Sequence, residues 1–198
     1  MTRTENEGGR FTTGEPSTGP EIAAAVVQLH AESERYLASI PAVEFAAPQG
    51  GKWSPADHIR HLAKSTFPLV PALGLPKFLL GLRFGRSQAQ SRPFAVLRDA
   101  YRTRLTETGA TAGRFAPSPR PAPVDSAAWQ SEVLASWRGA VTGLVGRMTG
   151  WSEAALDRYR LPHPLLGKLT VREMLFFTLY HNAHHLELVA GRRHCAGV

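Results

Sequence analysis

Apolar residues recur at helical spacing along most of the chain, and the alternation expected of a β-strand is nowhere convincing. From Glu21 to about Ser39, the spacing of Ile22, Val26, Leu29 and Leu37 predicts a first helix. Ser54 is a good N-cap, Pro55 suits the first helical position and Asp57 closes a capping box, so a second helix starts at Pro55. Its apolar stripe is Ile59, Leu62, Ala63 and Phe67. Phe94, Leu97, Tyr101 and Leu105 predict a helix from Pro93 to about Thr108. Asp125 caps a long helix to about Met148, with Val133, Trp137, Val141, Leu144 and Val145 on its inner face. Thr170 and Glu173 form another capping-box pair, and no Pro or Gly follows until Gly191, so a last long helix begins there.

The connections are as informative. Pro68, Pro71, Gly74 and Pro76 break the chain, and the short apolar run Phe78–Phe84 predicts a short helix over the bundle or a lid. Residues 109–123, with four prolines, read as a loop crossing the bundle. His163–Gly167 reads as an extended approach to the last helix. The fold class expected is all-α: a four-helix bundle with an insertion between its second and third main helices.

At 198 residues the chain suits one domain. Residues 1–20, rich in Gly, Thr, Glu and Pro, are expected to be a disordered tail, leaving 21–198 as the helical domain. The single cysteine, Cys195, excludes an internal disulfide and a cysteine-cluster zinc site. There is no apolar run of transmembrane length and no signal-peptide hydrophobic region, so a cytoplasmic protein is the expectation. The net charge of +7 comes mostly from arginines spread along the chain, with no nucleic-acid motif, which reads as a solvated basic surface. Neither a nucleic acid nor a membrane is therefore expected as a partner.

The chemistry lies in the histidines. On the last helix Met174, Phe177, His181, His185 and Leu188 share one stripe. Histidines four residues apart on one helical face can bind a single metal ion, and an unpartnered imidazole in a core-facing stripe is costly. The ring of His184 lies about 100° round the helix from that of His185. The second helix carries His58 and His61 on the flank of its stripe, and spacing alone does not choose between them.

The sequence Trp53-Ser54 followed by His61-Leu62-Ala63, with His181 and His185 on the last helix, resembles the DinB/YfiT-like metalloprotein superfamily over roughly residues 20–190. The run from His163 to Thr170 is similar to members of the same superfamily, whereas residues 70–123 match least. The resemblance implies a DinB/YfiT-like bundle with His61, His181 and His185 as ligands of a divalent metal, zinc or nickel. It also implies a low-molecular-weight thiol cofactor, since characterised members include bacillithiol-dependent transferases and mycothiol-dependent isomerases. Two departures, Lys64 where many members are acidic and Leu188 where Gln is common, remove no ligand.

Two functions from different classes follow. One is a metal-dependent thiol transferase or related isomerase acting on a small molecule, with Arg60 or Arg172 as candidates for an anionic thiol, although a helix-surface salt bridge is the simpler role for Arg60. The other is a non-catalytic, stress-associated or dimerising bundle, with structural metal or none; a homodimer suits it. No catalytic residue is singled out: Tyr101, Tyr159, Tyr180, Glu173 and Glu187 are not ranked by spacing. An open position beside a deep pocket favours the enzyme, and a pocket filled by residues 70–123 favours the second.

Overall fold

A computed structural model describes residues 9–195 except Gln49 and Ala122, with side chains to Gly191. The described chain is mostly helical with one small two-stranded sheet. Helix α1 (Gly19–Ala38) starts two residues before the expected Glu21, because Thr18 and Glu21 form a complete capping box and Pro20 lies in the first turn. A short α2 (Ala42–Ala46) buries Phe45. Helix α3 (Pro55–Thr66) has the expected box, in which the Ser54 side chain accepts from the Asp57 N–H and Asp57 accepts from the Ser54 N–H. Phe67, expected at the end of the α3 stripe, is instead 65% exposed at the helix C-cap.

The proline-broken stretch is helical after all. Helix α4 (Leu69–Gly74) contains Pro71 in its first turn, where no backbone N–H is required. It lies close against the long helix that carries Gly143, where an added side chain would meet Val70 at 3.2 Å. Helix α5 (Lys77–Phe84) and helix α6 (Phe94–Thr108) follow, and Gly109 ends α6 at φ 58. A single 3₁₀ turn at Gly113–Phe115 interrupts the proline-rich loop, which lies across α3. Helix α7 (Ser126–Met148) is capped by Asp125, which accepts from Ala127 and Ala128, and α8 (Glu153–Arg158) follows.

The expected extended approach is instead a hairpin, β1 (Arg160–His163) and β2 (Gly167–Thr170), paired antiparallel with Leu161 opposite Leu169 and His163 opposite Gly167. Four-residue strands, one with Pro162, are too short for alternation to register in sequence, and Gly167 supplies the positive φ of 73 that closes the turn. Helix α9 (Val171–Cys195) runs on from β2 through the Thr170–Glu173 box.

Helices α1 and α3 each pack against both α7 and α9 around one apolar core. Buried polar groups pin the packing. The Gln130 side chain donates to the Leu37 and Ile40 carbonyls, and the Trp137 indole donates to Asn182 at 3.0 Å. Phe11, within the stretch read as tail, is buried, and its N–H donates to Glu187. The first eight residues of that stretch, and the Cys195 side chain, lie outside the described residues. Among the described residues no single helix is long and apolar enough to cross a membrane.

Candidate metal centre

The capping boxes set the phase of the two helices that carry the histidines. With α3 started at Pro55 and α9 at Val171, His58 and His61 turn inward from one side, and His181 and His185 from the other. The structure brings His61, His181 and His185 together, one ring nitrogen of each lying within 4.8 Å of the others. The Nε2 atoms of His61 and His181 are 3.1 Å apart. Two nitrogens about 2.0–2.1 Å from one tetrahedral zinc are separated by roughly 3.3 Å, so this spacing fits a shared ion.

The other ring nitrogens fix the arrangement. His61 Nδ1 donates to the Phe115 carbonyl at 3.0 Å, which leaves its Nε2 as a lone pair facing His181. His181 is stacked on Phe177, with ring centroids 5.0 Å apart. His58 Nδ1 and His185 Nδ1 are 2.8 Å apart and share one proton between them. The Trp53 indole lies nearly parallel to the His185 ring at 6.1 Å and edge-on or tilted to His58 and His61. Burial pushes His61 and His185 below the ordinary imidazole range and His181 well below it; the Phe115 carbonyl opposes the shift at His61, and neighbouring histidines reinforce it at His181 and His185. Three neutral imidazoles, each with a ring nitrogen within 4.8 Å of the others, are a donor set for a divalent transition metal.

A cavity of about 650 Å³ opens beside the three histidines, which form part of its wall. The rest is largely apolar: Leu69 and Leu75 from α4 and its end, Phe84 from α5, Leu105 from α6, Phe115, Leu161 and Leu165 from the loops and hairpin, and Met174 and Phe177 from α9. The segment 69–115 therefore walls the cavity and does not fill it.

The remaining expected residues separate clearly. His184 lines the cavity and stacks on Tyr180, outside the three-histidine group. Of the five unranked acids and tyrosines only Tyr101 reaches the wall, its ring 6.4 Å from that of His181 and its hydroxyl pushed up to about 12 by burial and then by Tyr180. Glu173 caps α9 and pairs with Arg92, Glu187 holds the Phe11 N–H, and Tyr159 packs on Trp151. Arg60 is paired with Asp57 at 3.0 Å and donates to the Ser118 carbonyl. Arg172 is bound by Glu153, Asp157 and the Ser17 carbonyl, and neither arginine lines the cavity. Lys64, one of the two departures, donates to the Ala116 carbonyl and so anchors the same loop as His61.

Two residues of the site are not singled out by sequence. His58 carries the same spacing signal as His61 and differs only in what it meets across the core. His163, in the hairpin, accepts from the Leu165 and Leu166 N–H groups through Nδ1, and no local pattern marks it. No curated protein and no solved structure matches the chain. A sequence model of the DinB superfamily matches residues 45–189, from the end of α2 through most of α9, and the chain belongs to that superfamily.

Proposed function

We propose that the protein is a divalent-metal-dependent enzyme that acts on a small molecule held in the cavity, with His61, His181 and His185 as the metal ligands. The observation that carries this is the position of the three-histidine group in the wall of an open, mostly apolar cavity. Three protein ligands leave coordination free for a reactant, as catalytic zinc sites do. What such an ion supplies when bound is Lewis acidity toward a thiol or water brought to it. The chain supplies the rest. Phe115 fixes the His61 tautomer, His58 and Trp53 hold the His185 ring, and the apolar wall offers a surface for the body of a small molecule. The reaction class we assign is thiol-dependent transfer or the related isomerisation, with zinc or nickel as the ion. The same reading takes α1, α3, α7 and α9 as a four-helix bundle of DinB/YfiT type in a cytoplasmic protein. It gives the protein a small-molecule partner and neither a nucleic acid nor a membrane. The non-catalytic alternative calls for a cavity filled from residues 70–123, and these residues line it instead.

Metal content of the purified, tag-free protein by plasma mass spectrometry tests the reading, with His61→Ala as control. Near one divalent ion per chain, lost in the variant, is the expected result. No metal after incubation with zinc and nickel overturns it.

A further inference from the structure

The cavity wall has an unusual balance of polar groups. Among the described residues it includes two arginines, Arg83 and Arg114, and no Asp or Glu. Both arginines are exposed, and each guanidinium lies over the ring of the next residue, Phe84 at 5.4 Å and Phe115 at 4.9 Å, both of which are wall residues. Among the described residues neither arginine is in an ion pair. Two exposed cations thus stand in the wall of an apolar cavity with no carboxylate among the described residues to neutralise them.

The buried part of the wall is also a donor. His163 is 6% exposed, and its Nδ1 is committed to accepting from two backbone N–H groups at 3.1 and 3.0 Å. A neutral imidazole that accepts at Nδ1 carries its proton on Nε2, and among the described residues no protein acceptor meets that N–H. A largely apolar lining that includes these donors and, among the described residues, no carboxylate favours a ligand that brings the negative charge itself.

We propose that the cavity binds an organic anion with a bulky apolar body, its charged group met by Arg83 and Arg114 and its body set among Leu75, Phe84, Leu105 and Phe115. As a substrate assignment this rests on the metal-enzyme reading, whereas as a binding site it stands on the cavity alone.

The test is a fluorescence titration of full-length protein with two probes that share an arylaminonaphthalene body. One is 1-anilinonaphthalene-8-sulfonate, an anion, and the other is the uncharged N-phenyl-1-naphthylamine. Each is titrated into chelator-treated and zinc-incubated protein. The expected result is one anionic probe per chain, bound more tightly than its neutral twin in both preparations and more weakly as salt is raised. Arg83→Gln with Arg114→Gln, both exposed and outside the core, raises the dissociation constant of the anion roughly tenfold and leaves that of the neutral probe unchanged. Equal affinity for the two probes, or an anion affinity indifferent to the double substitution, overturns the proposal. Selective anion binding by a protein that takes up no metal sustains this site and removes only the enzyme reading.

Discussion

A histidine binds metal through one nitrogen, and the engagement of the other decides which nitrogen that is. His61 donates from Nδ1 to the Phe115 carbonyl, so its Nε2 is the atom left free for a metal, whereas His58 spends Nδ1 on His185. Their substitutions separate accordingly. His61→Ala abolishes stoichiometric metal uptake, while His58→Ala leaves the three ligands in place and weakens binding by about 10–100-fold, measured by competition with a chelator of known affinity. Sequence places both residues on one helical face and stops there, because the carbonyl that distinguishes them lies 54 positions away. His163 gives a second prediction. Burial pushes it down to about 4 from the ordinary 6.5. A pKa depressed in the folded state gives stability that is complete above pH 6.5 and lost as pH falls, because the unfolded chain takes up a proton that the fold refuses. Between pH 6.5 and 4 this costs about 1.4 kcal/mol per pH unit, on the order of 3 kcal/mol in all. His61, His181, His184 and His185 shift in the same direction and add to the loss. Urea unfolding of metal-free protein at a series of pH values is expected to show a steady loss over this range and a shallower one in His163→Gln.

At the scale of elements, the signals that survive in sequence are those confined to one turn of chain. The Ser54–Asp57 and Thr170–Glu173 boxes, the Asp125 cap and the Gly109 stop each need only a few neighbouring residues, and all occur in the structure. The β-hairpin is different: its pairing spans the turn at Gly167, and its strands are four residues each. Pro71 misleads for a related reason, since a proline breaks a helix interior but not a first turn. The start of α9 carries more than a cap. Glu173 accepts from the Thr170 N–H and from Arg92 at 2.7 Å, so one carboxylate ties α9 to the segment that enters α6. Burial opposes its ionisation, but these hydrogen bonds prevail and hold it below the usual carboxylate range. Thr170→Ala is expected to cost about 1 kcal/mol and roughly 2–4 °C in Tm, read by calorimetry. Glu173→Ala loses the cap and the ion pair together and falls further.

Over the whole molecule, the long insertion becomes the cavity wall. Residues 69–115 supply a large part of the surface that a ligand meets, and the hairpin and α9 supply much of the rest. The segments that carry it are held by contacts between distant parts of the chain, such as Trp151 donating to the Leu73 carbonyl or Arg60 to the Ser118 carbonyl, which no periodicity encodes. The helical frame and the histidine pair were therefore legible, and the shape of the cavity was not. The His61–Phe115 hydrogen bond carries a consequence at this scale. It joins a ring of the three-histidine group to a loop that is also fastened to α3 through Arg60 and Lys64. Coupling of this kind runs both ways: an ion that immobilises the ring also latches the loop, and a loop held down keeps the ring aimed. Zinc uptake is expected to slow amide hydrogen exchange across residues 110–118 in the wild type and not in His61→Ala. In the reverse direction, cutting the loop with a protease is expected to release the ion, so that a stretch with no histidine of its own acts as the door of the centre.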